Sequence, residues 1–126
     1  MQGYLSLVLH AHLPFVRHPE HERFLEESWL FEAVTETYIP LLQILDGWQR
    51  DGLPARLTLS LSPTLCAMLL DPLLQQRYAR HLDSLIELAG KEVHRTLLDK
   101  PMHAVAELYH RRFVAARDTY AECGRD

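Results

Sequence analysis

The chain has 126 residues, of which 48% are hydrophobic and 24% charged, an ordinary balance for one globular domain or for part of a larger one. Its formal net charge of −4 provides no basic field for nucleic acid, and the adjacent Arg111 and Arg112 are too few for a phosphate-binding cluster. The five glycines form neither a Walker motif nor a Gly-x-Gly-x-x-Gly motif, so nucleotide binding is not indicated.

The first predicted element is a strand over residues 4–10, which are mostly apolar and compatible with β-structure. Near-continuous hydrophobicity is typical of a parallel strand that is buried on both faces, and we expect that burial here. Pro14 and Pro19 then predict a loop over about residues 13–21.

A long helix is predicted next, over residues 23–48. Its apolar residues recur at spacings of three and four and form one stripe: Leu30, Val34, Tyr38, Leu41, Leu45 and Trp48. Pro40 lies inside the run and removes an amide donor, so we expect a kink or two abutting helices. Gly47 and the pair Asp51–Gly52 are expected to end the helix and turn the chain.

A second strand is predicted over residues 56–61, where leucines alternate with polar residues. Ser60 and Ser62 lie near its end and could face a cleft, although Ser62 is better explained as a helix N-cap before Pro63. A short helix is therefore predicted over residues 64–70.

Two longer helices follow. Asp71–Pro72 begins the first, whose apolar stripe comprises Leu74, Tyr78, Leu82, Leu85 and Leu88, with Gly90 near its end or tolerated inside it. Pro101 breaks the chain again. A last helix is then indicated by Val105, Tyr109, Phe113, Ala116 and Tyr120, before a polar turn over residues 122–126.

The element order favours an α/β fold. Two strands joined by a helical crossover are expected to pair in parallel, but two strands alone make a poor sheet. Residues 1–126 are therefore predicted to form the opening portion of a larger α/β barrel or open sheet, with two parallel strands, several helices and an incomplete sheet.

Cysteine usage and the N-terminal residues favour a cytoplasmic protein. Cys66 and Cys123 form no Cys-x-x-Cys or Cys/His zinc pattern, and the apolar surroundings of Cys66 indicate a buried free thiol. Residues 1–3 lack the positive charge of a signal peptide, and the apolar run of residues 4–9 is too short to span a membrane. We expect no membrane partner and no cofactor.

The most informative residues are His10 and His12, which follow the first predicted strand. Ligands of parallel α/β folds bind at the carboxyl ends of strands. Side chains two positions apart on an extended chain point the same way. Two such imidazoles can donate hydrogen bonds to sugar hydroxyls or hold a metal ion, and the pattern alone does not choose between these roles.

Four segments of the chain resemble glycoside hydrolase family 57. Gly3–Pro14 is similar to the first signature of the family. Glu27–Ala33, Glu36–Leu42 and Leu57–Leu65 resemble its 1,4-α-glucan branching-enzyme subgroup. Because several long strings match in the right order, the likeness is specific, and it covers essentially the whole chain.

The resemblance implies the N-terminal opening of an incomplete, seven-stranded (β/α) barrel. The parent enzyme would cleave an α-1,4 glucan bond and transfer the released piece to a 6-hydroxyl, as in glycogen synthesis. Family members retain configuration through a covalent intermediate on a Glu, with an Asp as acid/base. His10 and His12 match the family's His-x-His positions and would support the transition state beside the sugar. Trp29 is a further substrate-binding candidate, although its ring could equally serve helix packing.

The chain departs from the family at the catalytic carboxylates, since no segment matches the nucleophile, acid/base or second signature. The carboxylates of the first helix, Glu26, Glu27, Glu32 and Glu36, are expected to be ordinary surface residues rather than a catalytic pair. We therefore expect an enzyme segment that is inactive alone and marginally stable, or that associates with itself or with a complementary barrel segment.

Two other functions stay open. A His-x-His pair at the end of a first strand also begins the metal site of some amidohydrolase-like barrels and barrel deacetylases, so a metal-dependent hydrolase or deacetylase is one alternative. That function requires further ligands at later strand ends, and the sequence contains none. The other alternative is a non-catalytic glucan-binding remnant that keeps the His pair and Trp29.

Overall fold

The computed structural model describes residue 3 and residues 5–123 and divides the chain into two compact units, Met1–Gln75 and Gln76–Asp126. The first unit contains both strands and the first three helices, and the second contains most of the last two helices. Among the described residues, no helix is long and apolar enough to cross a membrane.

The two strands, β1 (Val8–Ala11) and β2 (Thr58–Leu61), pair in parallel, with His10 opposite Ser60. This confirms the predicted pairing. Both strands are shorter than predicted, and residue 4 of the predicted first strand lies outside the described residues.

Both strands are exposed, so the prediction that the first strand is buried on both faces was wrong. Val8 is 62% exposed and Leu61 is 52% exposed. A strand loses its exposure only when neighbouring strands and a layer on each face cover it. In the described part of the chain, each strand has one neighbour, the other strand of the pair.

The long helix is divided into three parts, which are α1 (Glu27–Ala33), a π-helical turn (Val34–Tyr38) and α2 (Ile39–Arg50). The interruption confirms the effect expected of Pro40. Since proline has no amide hydrogen and its ring crowds the carbonyl four residues earlier, the regular ladder cannot continue there. The helix widens instead, and the amide of Ile39 donates to the carbonyl of Val34, five residues back.

At the end of α2, the predicted role of Gly52 is confirmed and that of Gly47 is wrong. Gly47 lies inside α2 and does not end it. Gly52 has a φ of +65°, a left-handed conformation that favours glycine because it has no Cβ. The chain turns there.

The short helix α3 (Pro63–Leu69) begins as predicted. The Ser62 hydroxyl accepts a hydrogen bond of 3.3 Å from the amide of Leu65, which makes Ser62 the N-cap. The inward side chains of α3 belong to the core of the first unit, which consists of Val16, Leu30, Phe31, Val34, Ile39, Leu65, Met68 and Leu74.

The last two helices are α4 (Pro72–Arg95) and α5 (Lys100–Cys123). The predicted stripe of α4 is buried at Leu74, Tyr78 and Leu82, whereas Leu88 is exposed and its neighbour Ala89 is buried in its place. In the second unit, the rings of Tyr78 and Tyr120 meet edge to face, with centroids 4.7 Å apart.

Three details of these helices differ from or refine the predictions. Gly90 lies inside α4 and is tolerated there. Pro101 is the second residue of α5, where a helix needs no amide donor, so it helps to begin the helix. The predicted polar turn is wrong at Glu122, which is still helical, and residues 124–126 lie outside the described residues.

Candidate functional site

His10 and His12 come together at the carboxyl end of β1. His10 lies within the strand and His12 follows its last residue, and both side chains are exposed. The two ring centroids are 5.0 Å apart and the ring planes differ by 27°, so the imidazoles are stacked. The pair therefore places two side chains that can each form hydrogen bonds next to each other at the end of β1.

The sheet adds Ser60 to this pair. Because His10 and Ser60 are opposite each other in parallel strands, their side chains lie on the same face of the sheet. The Ser60 Oγ is 3.1 Å from Nδ1 of His10. The polar alternation of β2 indicated Ser60 as a residue that could face a cleft, but its partner depends on the strand register, which the sequence does not give.

The chain after His12 is anchored at two successive residues. The buried amide of Val16 donates to Sδ of Met68 on α3, at 3.3 Å. Arg17 then forms an ion pair with Asp71, with 2.5 Å between Nε and Oδ2. These contacts fix the predicted loop to the helices that follow β2.

Asp71 has two roles at this anchor. Its Oδ1 accepts hydrogen bonds from the amides of Leu73 and Leu74 in the first turn of α4. Burial acts to raise the pKa of the Asp71 carboxyl, but the amide hydrogen bonds and the Arg17 guanidinium outweigh it and lower the pKa below its ordinary value. Asp71 is therefore an ionised cap that also holds the loop.

A second histidine cluster in this loop was not predicted. The rings of His21 and Phe24 are stacked with centroids 5.4 Å apart, and the ring of His18 lies 3.8 Å from that of Phe24. His18 also contacts Glu20 at 2.8 Å, and this hydrogen bond lowers the pKa of the Glu20 carboxyl. The i, i+3 and i+6 spacing of the three rings is the only signal in the sequence that could have indicated the cluster.

Trp29 lies on α1 with half of its surface exposed. Within the described residues, its ring makes no ring contact with either imidazole of the pair. The exposed ring has room to stack on a sugar, and its binding role stays a prediction.

The described residues contain no group of three His, Cys, Asp or Glu side chains placed to hold one metal ion. Protein zinc sites use at least three such ligands. A metal site at His10 and His12 would therefore need ligands from outside residues 5–123.

The family comparison agrees with this architecture. Residues 6–113 match the family described as glycosyl hydrolase family 57. The 1,4-α-glucan branching enzyme TK1436 of Thermococcus kodakarensis is 34% identical over 84 residues, which are 66% of this chain and 12% of that protein.

Two solved structures superpose on nearly the whole chain. One is the α-amylase AmyC of Thermotoga maritima, 46% identical with a TM-score of 0.91, covering 98% of this chain and 23% of AmyC. The other is the GH57-type branching enzyme of Pyrococcus horikoshii, 28% identical with a TM-score of 0.89 and the same two coverages. The chain thus spans 12% to 23% of the lengths of these relatives. With most of its length matched, it belongs to glycosyl hydrolase family 57.

Proposed function

We propose that residues 1–126 are the N-terminal segment of a 1,4-α-glucan branching enzyme and bind an α-glucan at the His10–His12 pair. The observation that carries the proposal is the stacked, exposed imidazole pair at the carboxyl end of β1 in a family 57 chain. The branching-enzyme relatives support this choice of activity and of substrate.

The two imidazoles suit hydrogen bonding to a sugar. Each neutral imidazole has one N–H donor and one acceptor nitrogen, which match the donor and acceptor character of a hydroxyl group. Donors held in place before reaction can stabilise charge that develops in the transition state. Trp29 adds an exposed ring on which a sugar could stack.

The catalytic carboxylates of this proposal lie outside residues 1–126. A retaining glycosidase requires two carboxyl groups about 5–5.5 Å apart that flank the scissile bond. On α1, Glu27 is only 3% exposed, so the prediction that it is an ordinary surface residue was wrong, and its burial does not suit a carboxylate that must reach a substrate. The segment alone is therefore proposed to be inactive, and the parent enzyme to act in cytoplasmic glycogen synthesis.

We also propose that residues 1–126 form part of a larger barrel in the parent enzyme. In the parent enzyme, further strands of a seven-stranded (β/α) barrel would cover β1 and β2. A complementary segment would supply these strands, and in its absence the chain would associate with itself. Their exposed leucines support this part of the proposal, since isolated sheet edges and apolar faces tend to associate.

Hydrolysis by an α-amylase is the second candidate function, and the 46% identity to AmyC favours it. The two activities share the same substrate bond and differ in the acceptor. A branching enzyme transfers to a sugar hydroxyl, whereas an amylase transfers to water.

A chimera tests the proposal. Residues 1–126 replace the corresponding segment of the P. horikoshii branching enzyme, with which they superpose at a TM-score of 0.89. Amylose is the substrate, and new α-1,6 branch points and new reducing ends are measured. Branch points that form with residues 1–126 in place, and that are absent when the segment is omitted, support a branching-enzyme segment, whereas a chimera that produces reducing ends without branch points favours the amylase.

Two histidine variants and one control variant of the chimera locate the site. We expect His10→Ala and His12→Ala to lower kcat of the chimera about 10²-fold, the effect of removing one transition-state donor. Thr58→Ala, on the same face of β2, serves as the matched control. The proposal fails if both histidine variants keep full activity, or if the isolated 126-residue chain forms branch points on its own.

A further inference from the structure

His10 has one hydrogen-bond partner in the described part of the chain, the hydroxyl of Ser60, which lies 3.1 Å from Nδ1. The other ring nitrogen, Nε2, has no protein partner among those residues. We infer that Ser60 is a positioning residue for His10, which holds the imidazole with Nε2 protonated and available to donate to a glucan oxygen. This inference rests on the proposed function, because it assigns a substrate partner to Nε2.

The strand register places Ser60 for this role. The pairs Val8–Thr58 and His10–Ser60 are Cα partners, so these four side chains lie on one face of the sheet. Leu59 and Leu61 of β2 lie on the opposite face. Ser is not among the residues enriched in strands, so strand formation alone does not explain a serine in the middle of β2.

The hydrogen bond to Ser60 fixes which of the two ring nitrogens of His10 faces β2, and stacking against His12 does not. The outer torsion of a histidine side chain is broad and roughly two-fold, so a ring held only by stacking can exchange its two nitrogens by flipping. The ring of His12, 5.0 Å away, restricts the plane of the His10 ring. The Ser60 hydroxyl distinguishes the two edges of that ring, and so decides which nitrogen faces away from β2.

The donor and acceptor roles of Ser60 Oγ and His10 Nδ1 depend on the tautomer of the imidazole, and we assign the donor role to the hydroxyl. Among the described residues, the Ser60 hydroxyl has no other hydrogen-bond partner. When it donates to Nδ1, its proton has an acceptor and the imidazole proton resides on Nε2. His10 then presents an N–H donor, which is the polarity required to stabilise negative charge on a sugar oxygen.

The test is a two-bond ¹H–¹⁵N correlation spectrum of the ¹⁵N-labelled 126-residue chain at alkaline pH. We expect a protonated Nε2 for His10 and an Nδ1 resonance displaced by an accepted hydrogen bond. Ser60→Ala should move the Nδ1 resonance to the position of an unbonded nitrogen. Ser60→Thr, which keeps the hydroxyl, should restore it.

Thr58→Ala is the matched control, because Thr58 lies on the same face of β2 one pair away and should leave the His10 resonances unchanged. The inference is overturned if His10 has the same nitrogen shifts in the parent and in Ser60→Ala. It is also overturned if Nδ1 carries the proton.

A kinetic measurement separates this inference from the proposed function. In the chimera, we expect Ser60→Ala to lower kcat/KM about tenfold, the effect of one lost hydrogen bond, and Ser60→Thr to retain activity. If the spectra change as expected but the parent chimera is inactive, the proposed function fails and the positioning of His10 stands. If the chimera branches amylose but Ser60→Ala changes neither spectra nor kinetics, the positioning role alone fails.

Discussion

Arg17 and Asp71 form an ion pair across 54 positions of sequence, with 2.5 Å between Nε of Arg17 and Oδ2 of Asp71. The pair joins the loop that follows His12 to the first turn of α4. Because the other oxygen of Asp71 caps that turn, one carboxylate supports both the loop beside the candidate site and the start of a helix. The two contributions can be separated by substitution.

We expect Asp71→Asn to destabilise the protein by about 0–1 kcal/mol, because asparagine caps a helix almost as well as aspartate and only the partly exposed ion pair is lost. Asp71→Ala removes the cap as well, and it should cost about 1 kcal/mol more. Urea unfolding monitored by circular dichroism measures both differences. Arg17→Gln is the control for the ion pair and should match Asp71→Asn. Equal losses for the Asn and Ala variants would contradict the capping role.

The stability of the chain should fall as the pH is lowered from 7 to 5, in part because of His81 on α4. Burial lowers the pKa of the His81 imidazole below its ordinary value near 6.5. The unfolded chain therefore binds a proton at His81 before the folded chain does, so the free energy of unfolding declines as the pH falls through 6.5.

The measurement is the midpoint of urea unfolding at several values of pH for the parent chain and for His81→Gln. Since glutamine does not titrate, the variant should show a shallower decline between pH 7 and 5. A decline of the same slope in both proteins would show that His81 makes no contribution.

The two glycines near the end of α2 should respond to alanine with opposite signs. At Gly52 an added Cβ would meet no atom within 4 Å, so only its φ of +65° opposes alanine, at a cost of about 1–2 kcal/mol. Gly47 is inside the helix with equally open space, so alanine there should stabilise the protein by about 0.5–1 kcal/mol. Thermal unfolding of the two variants checks both signs. A stabilising Gly52→Ala would show that the turn does not hold its conformation in solution.

Local features of the sequence predicted the local features of the structure. Ser62 and Pro63 indicated a helix start because both the cap and the proline act within one turn. Pro40 indicated an interruption because it lacks an amide hydrogen. The form of that interruption, a π-helical turn, was not predictable, since a missing donor can be absorbed by a kink, a break or a widened turn.

The candidate site, too, was predictable from the sequence only in its local features. The two-residue period of a strand predicted that His10 and His12 share a direction, and their stacked rings agree with it. The contact between His10 and Ser60 joins residues 50 positions apart and depends on the register of two strands, which hydrophobic alternation alone does not fix. Burial of the first strand was mispredicted because it depends on layers above and below the sheet.

The exposed sheet leads to a last prediction, that the chain self-associates through β1 and β2. Leu9, Leu59 and Leu61 lie on one face of the sheet, and all three are exposed. Apolar faces and free strand edges of this kind favour association between chains. Sedimentation velocity over a hundredfold range of concentration should therefore show a rise in the average sedimentation coefficient.

The double variant Leu59→Lys and Leu61→Lys should reduce this association at least severalfold, because two like charges on the sheet face repel the same face of a second copy. Leu98→Lys is the matched control, since Leu98 is fully exposed (101%) and belongs to the second unit, whereas β1 and β2 belong to the first. Association that persists in the double variant and weakens in the control would locate the contact outside the sheet. A parent chain that stays monomeric over the whole range would show that two exposed strands are tolerated without a partner.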